Sequence, residues 1–195
     1  MIKKILVSQP APATDKSPYH DIAQNLGVEF TFQPFVKVEG LEAREFRSQK
    51  VNILDHTAIV FNSRNAIEHF FHLCKELRVT LPEDMKYFGI SEKVILYIQK
   101  FVQYRKRKVF FGTSGHWPEL LTVMAKHKTE KYLFPLSEGT SLEIAGQLDQ
   151  KKIKHTECAM FRTVQAKLDE DTFKNYDMIL IFTPVGVQSL LSNFP

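Results

Sequence analysis

Glycine is scarce and never adjacent to glycine: the 195 residues hold eight, each standing alone in a turn-like context. That excludes a P-loop and a GxGxxG dinucleotide fingerprint, which both need clustered glycines so that backbone can approach phosphate. No serine stands in a GxSxG nucleophile elbow. Cysteine is scarcer still, with only Cys74 and Cys158, far apart and each within an apolar pattern. No CxxC or paired Cys/His spacing points to a metal, so both read as buried, reduced thiols. Long apolar runs are missing, and nothing approaches the roughly 20 residues of a membrane span. The start, Met1 to Ser8, has a basic opening but too short an apolar stretch for a secretory signal, so cytoplasm is the expected location. Excess charge is small, +4 with a pI near 9.0, which suits an acidic ligand but does not by itself indicate nucleic acid.

What is present is ordinary globular material: 44% hydrophobic residues, 25% charged residues and sixteen Phe. The length allows one large domain or two small ones. Seven histidines are scattered, with His69, His72 and His116 on or beside helices, and read as solvated surface. The basic run Arg105 to Lys108 reads as a solvated connection, because a nucleic-acid patch would have interleaved aromatics.

Ile5 to Val7 reads as a buried strand. Ser17, Pro18 and Gly27 sit as N-cap, first helical residue and stop for a helix over Pro18 to Leu26. Val28 to Phe35 alternates as a strand. Val36 to Leu41 is a crossover, and Ala43 to Lys50 a short charged helix. Thr57 to Phe61 is a strand that breaks at Asn62-Ser63-Arg64-Asn65 and resumes as a helix to Leu77. Lys86 to Ser91 repeats the strand-to-turn pattern, followed by an amphipathic helix over Glu92 to Tyr104. Val109 to Ser114 repeats it again, before a helix over Trp117 to His127. Tyr132 to Pro135 is a strand, Ser137 to Ser141 a polar turn, and Leu142 to Leu148 a helix. Lys154 to Val164 and Asp177 to Phe182 are strands, and Gly186 to Asn193 is the last helix.

Short apolar strands feeding directly into helices predict an α/β fold with doubly wound parallel sheets. In such sheets the strand-to-helix turns share one edge, where helix N-termini offer free N–H groups to anions. The candidate binding residues are therefore Ser63, Arg64, Asn65, Gly89, Ser91, Ser114, Ser137, Thr140, Thr183, Pro184, Val185 and Gly186. Aligning Ser63 with Thr183 also pairs Ala66 with Gly186 and Ile67 with Val187, so the chain reads as two similar halves. The middle segment, residues 40–163, forms one domain. The ends, residues 1–36 with 165–195, form another that is thin for its size.

The motif order resembles the uroporphyrinogen-III synthase family. It comprises Pro18-Tyr19, Gln33-Pro34, Phe61-Asn62-Ser63-Arg64-Asn65-Ala66-Ile67, Phe88-Gly89-Ile90-Ser91, Tyr132-Leu133-Phe134-Pro135, Met160-Phe161-Arg162-Thr163 and Phe182-Thr183-Pro184-Val185-Gly186. Each motif is weak alone; seven in the right order are not. The resemblance implies two doubly wound domains joined by a two-stranded connector, the first discontinuous and here expected to be truncated at its carboxyl end. It implies cofactor-free cyclisation of a linear tetrapyrrole, hydroxymethylbilane; the sequence itself gives no sign of a metal, nucleic-acid or membrane partner, and a monomer is the simplest expectation. Helix N-termini would hold the substrate carboxylates, and positioning would supply most of the catalysis.

Three departures bear on activity. Phe161 replaces the tyrosine often present as a candidate proton donor, Glu92 replaces a threonine, and Asn62 replaces the threonine of the first turn motif. No catalytic residue is therefore assigned. The alternatives are an inactive member that binds a tetrapyrrole or other polyanion as a sensor, and an unrelated two-domain binding protein of periplasmic type, against which the missing signal peptide argues.

Overall fold

The computed structural model describes residues 2–14 and 16–194. The chain divides into two compact units, Met1–Val38 with Thr163–Pro195, and Glu39–Arg162.

The first unit is built on three parallel strands, β1 (Lys4–Val7), β2 (Glu29–Phe32) and β9 (Met178–Leu180), in the order β2-β1-β9. Helix α1 (Pro18–Leu26) begins and ends on local chemistry. The Ser17 hydroxyl accepts from the Tyr19 N–H, Pro18 occupies the first turn, and Gly27 closes the helix at φ 63°. Tyr19 then packs edge-on against Phe30 and Phe32 of β2, at 5.1 and 5.0 Å between ring centroids. The buried core is small, Leu6, Phe35 and Leu168, with Phe173 of α7 (Glu170–Phe173) and Leu190 of α8 (Pro184–Asn193) packed against it.

The second unit holds most of the core. Its six-stranded sheet runs β3-β8-β7-β4-β5-β6, with β3 (Val36–Gly40), β4 (Ala58–Phe61), β5 (Lys86–Gly89), β6 (Val109–Phe111), β7 (Tyr132–Ser137) and β8 (His155–Gln165). Strands β4 to β8 pair in parallel. Both unit boundaries fall inside strands, one in β3 and one in β8. The Leu41 N–H donates to the Met160 carbonyl and the Ala166 N–H to the Phe35 carbonyl, so partner numbers fall as the chain advances and these two strands are antiparallel.

Strand alternation sorts the core onto the two faces of this sheet. Ile59, Phe61, Tyr87 and Leu133 join α3 (Arg64–Glu76) and Ile95 in one cluster; Ala58, Val60, Phe88, Tyr132 and Phe134 join α5 (Trp117–Met124) and α6 (Ala145–Gln150) in the other. This is a mixed α/β architecture dominated by parallel strands. Cys74 and Cys158 are buried and unbonded to each other. Burial pushes the Cys74 thiol up to about 12 and raises Cys158 as well, so both stay protonated and inert.

Several elements differ from expectation. The helix over 92–104 is two short pieces, α4 (Glu92–Ile95) and a 3-10 turn over Leu96–Lys100. The sequence there is rich in β-branched residues, and 3-10 winding places residues three apart on one face, which buries Ile95 and Ile98 together. The helix expected from Leu142 starts at Ala145. Leu142 instead donates its N–H to the Glu157 carboxylate at 2.9 Å, a long-range bond that extends the turn. Strand β2 stops at Phe32 because its partner β1 stops at Val7. Helix α2 (Ala43–Ser48), the 3-10 turn Ile53–Asp55 and α7 complete the second and first units' short elements, and the latter two have no sequence signal strong enough to be read.

Candidate functional site

Three strand-to-helix turns share one construction. Ser63, Ser91 and Thr183 are each in extended backbone, with φ of −153°, −151° and −136°. Each side-chain oxygen accepts from the N–H three residues on: Ala66 at 3.1 Å, Val94 at 3.4 Å and Gly186 at 3.1 Å. The cap satisfies one N–H of the first turn and leaves the others for solvent or ligand. The Ser63–Ala66 and Thr183–Gly186 pairs are those that the internal sequence match aligns.

Sheet order then selects where these turns matter. In the second unit β4 lies beside β7 and β5 on opposite sides, so successive connections leave in opposite directions. A crevice opens at the carboxyl ends of strands at such a switch point. An open groove of about 350 Å³ lies there, lined by Asn62 and Ser63 after β4, Ser137 and Thr140 after β7, and Trp117, Leu142, Glu143 and Phe161. The β7–β8 register shifts between Leu136 and Ser137, so that Ser137 faces Phe161 and residue Met160 is passed over. Such an irregularity re-aims side chains at a sheet rim. The far side of the turn is pinned by the Glu138 N–H donating to the Phe161 carbonyl at 2.7 Å, and by the Thr140 hydroxyl donating to the Ser137 carbonyl at 2.6 Å.

Phe161 is only 7% exposed and stacks on His69, centroids 5.4 Å apart. Desolvation lowers the His69 pKa, so this ring is neutral near pH 7. Arg162, next along the strand, is turned to carboxylates: it pairs with Glu45 and, at 3.4 Å, with Glu138. Among the described residues, the only charged one lining the groove is Glu143. Any anion held here is held by N–H and hydroxyl donors, not by lysine or arginine.

The candidate residues are therefore not equivalent. Ser63, Ser137 and Thr140 meet in the groove. Arg64 and Asn65 lie outside it, and the Arg64 guanidinium is 5.4 Å from the centre of the Tyr97 ring. Gly89 is a packing residue: a Cβ there would lie 2.4 Å from Ile95 Cβ. Ser91 caps α4, whose first residue Glu92 is exposed. Thr183, Pro184 and Val185 are exposed in the first unit. Gly186 is buried, and a Cβ added there would lie 2.9 Å from Ile181 Cγ2. Trp117, Leu142 and Glu143 line the groove without being legible as site residues in the sequence; a residue entering a helix carries no ligand signal of its own.

The turn that includes Ser114 already holds an anion. Glu119 accepts from the Thr113 and Ser114 N–H groups, both at 2.7 Å, and from the Thr113 hydroxyl. Those bonds bring its carboxyl pKa down to about 2. A depressed folded-state pKa stabilises above the ordinary carboxylate range and loses that contribution as pH falls toward about 2. Thermal midpoints compared at pH 5 and pH 2.5 should fall less for Glu119→Gln than for wild type; equal falls would show that the carboxylate is not tied to the turn.

The family model described as uroporphyrinogen-III synthase HemD matches residues 17–195. Among solved structures, a mutant uroporphyrinogen III synthase from Thermus thermophilus superimposes with a TM-score of 0.58 at 13% identity, over 98% of this chain and 77% of that one. Uroporphyrinogen-III synthetase from Helicobacter pylori gives 0.57 at 11% identity, over 100% and 79%. At such identities these likenesses speak for the fold alone. No curated protein sequence matches. The family match extends over well more than half of the sequence, and the chain belongs to the uroporphyrinogen-III synthase family.

Proposed function

We propose that the chain closes hydroxymethylbilane to uroporphyrinogen III in tetrapyrrole biosynthesis. The observation that carries this reading is the family match over residues 17–195, joined to the repeated N-capped turns at Ser63, Ser91 and Thr183. In the reaction, loss of the substrate's hydroxyl as water gives an azafulvene. The substituted position of ring D attacks its methylene carbon to form a spiro intermediate. That intermediate fragments and recloses with ring D inverted, and a proton leaves the ring junction. No oxidant, reductant or metal is required by this balance.

The chain's own contribution is to hold a flexible polyanion in the geometry that favours spiro attack over direct closure. In the second unit the turn at Ser63 takes a substrate carboxylate on N–H donors and the Ser137 to Thr140 turn supplies further donors; in the first unit the turn at Thr183, capped in the same way, is a carboxylate seat of the same kind. Phe161 has no proton to give, so departure of the hydroxyl does not depend on that position. The enzyme acts without a cofactor, as a cytoplasmic monomer.

The test is to supply hydroxymethylbilane to the protein and resolve the type I and type III isomers. Type III should dominate. Type I alone, formed at the rate seen without protein, would overturn the reading, and tight binding with no turnover would replace the enzyme by a tetrapyrrole-binding protein.

A further inference from the structure

We propose that the second unit carries a separate phosphate-binding pocket at the amino edge of its sheet, the edge opposite the groove, with Lys50, Lys131 and Lys154 as its cations. This goes beyond the synthase reading and does not depend on it. The pocket has a volume of about 290 Å³ and is lined by these lysines together with His56, His155 and Asp55. Tyr132 is paired with His155 in parallel register, so Lys131 and Lys154 stand side by side as the preceding residues of neighbouring strands. The Tyr132 N–H donates to the Lys154 carbonyl at 3.0 Å, and the Thr57 and Ala58 N–H groups to the Lys131 carbonyl at 3.0 and 3.2 Å, which fixes both backbones. Lys50 arrives from the end of α2 at a φ of 55°.

None of the three ammonium groups has a carboxylate partner among the described residues. Like charges set opposite each other on adjacent strands repel. The carboxylate in the lining, Asp55, accepts from the Asn52 side-chain amide at 2.9 Å and sets one negative charge against three ammonium groups.

The histidines narrow the ligand class. His56 is 8% exposed, and its Nδ1 lies 3.0 Å from the Asn52 carbonyl. A carbonyl only accepts, so Nδ1 carries the hydrogen, and Nε2 has no partner among the described residues. His155 Nδ1 lies 3.2 Å from the Ile153 carbonyl and 3.8 Å from Asp149 Oδ1, two acceptors, so that nitrogen too carries a hydrogen. Ammonium donors beside imidazole nitrogens, which accept from an O–H or donate to an anionic oxygen, suit a ligand with both groups. Hydrogen phosphate and pyrophosphate have both at neutral pH; a carboxylate or sulfate has only the first.

The probe is inorganic pyrophosphate, titrated by calorimetry into the full chain at low ionic strength, with sulfate as the comparison. Wild type should bind pyrophosphate at least about tenfold more tightly than sulfate, and Lys131→Gln/Lys154→Gln should weaken pyrophosphate by about tenfold or more, the loss of two charge-assisted contacts. The exposed pair Lys16→Gln/Lys75→Gln should stay within about twofold of wild type, which separates a site from diffuse charge. Thr140→Ala, at the groove, should bind as wild type. Absence of binding, equal binding by the Lys131/Lys154 variant, or loss of binding in Thr140→Ala would each overturn the proposal.

Discussion

Gly89→Ala is expected to destabilise the second unit by about 3 kcal/mol, the upper end of what overpacking of a well-filled core costs. A Cβ at residue 89 would lie 2.4 Å from Ile95 Cβ, 3.1 Å from Ile95 Cγ1 and 3.2 Å from Ile95 Cα. Two of those atoms belong to any non-glycine residue, so rotation of the side chain cannot relieve the contact. Nor can the strand yield easily: the Gly89 carbonyl accepts from the Gly112 N–H at 3.2 Å, and Phe61 and Phe111 flank residue 89 on either side in the sheet. The helix must move instead, and with it the N-cap at Ser91. The contact geometry also dictates what rescues the variant. Ile95→Ala keeps the offending Cβ, so the double variant Gly89→Ala/Ile95→Ala should show no recovery beyond additivity. Ile95→Gly removes it; that variant alone also loses a fully buried side chain, about 2–5 kcal/mol, and about 1 kcal/mol of helix propensity, so the recovery is read as a double variant less destabilised than the sum of its two single variants. Urea denaturation of wild type, the three single variants and the two double variants decides the matter; a loss below about 0.5 kcal/mol for Gly89→Ala would mean that β5 and α4 do not approach this closely.

Helix starts are legible in this sequence because their chemistry is local. Ser17-Pro18 and Gly27 bracket α1, and Ser63 caps α3 with a bond to the residue three positions on; α8, expected from Gly186, starts two residues earlier at Pro184 because Thr183 caps it in the same way. The parallel α/β class follows from the same punctuation. What is not legible depends on partners distant in sequence. The true start of α6 is set by Glu157 reaching the Leu142 N–H, and the end of α4 by the space that Gly89 leaves for Ile95. The groove itself exists because β7 pairs with β4, and the whole of β5, β6 and their helices lies between those strands in the chain. No periodicity in either strand encodes that neighbour, so Ser137 and Ser63 can be named as turn residues but not as residues of one groove. Trp117 and Leu142 read as helix material; Trp117 opens α5, whereas Leu142 stands in the turn before α6.

Charge distribution adds a physical distinction between the two pockets of the second unit. The chain's net charge of +4 is modest, yet Lys131, Lys154 and Lys86 all stand at the amino edge of the sheet, and of these Lys86 is neutralised by Glu130. The groove at the opposite edge has no cation among the described residues of its lining. An anion at the amino edge would be held by point charges and would respond steeply to salt. One in the groove would be held by oriented N–H dipoles at a helix terminus, where a shape match matters more than attraction at a distance. A reaction that depends on folding its substrate into a single geometry fits the second kind of site.

Ser63→Asp should therefore leave the fold intact and abolish most of the proposed synthase activity. Aspartate caps a helix about as well as serine, so its carboxylate can accept from the Ala66 N–H as the Ser63 hydroxyl does at 3.1 Å, and the stability should hold within about 0.5 kcal/mol. The same carboxylate puts a negative charge at the mouth of the donors that a substrate carboxylate needs. Two like charges about 4 Å apart near a protein surface repel by up to ~4 kcal/mol, and screening leaves a loss of about ten- to a hundredfold in kcat/KM. Ser63→Ala works in the opposite sense: it weakens the cap by about 1 kcal/mol but adds no repulsion, so its activity should fall less than that of Ser63→Asp. Thr183→Asp and Thr183→Ala should reproduce the pattern, since that cap has the same 3.1 Å bond to Gly186. Product composition is the sharper readout. If these turns hold the substrate for spiro attack, what turnover remains in the aspartate variants should drift toward the type I isomer as direct closure competes. Full type III yield from Ser63→Asp and Thr183→Asp, at wild-type rate, would remove both turns from the substrate site while leaving the fold and the family unaffected.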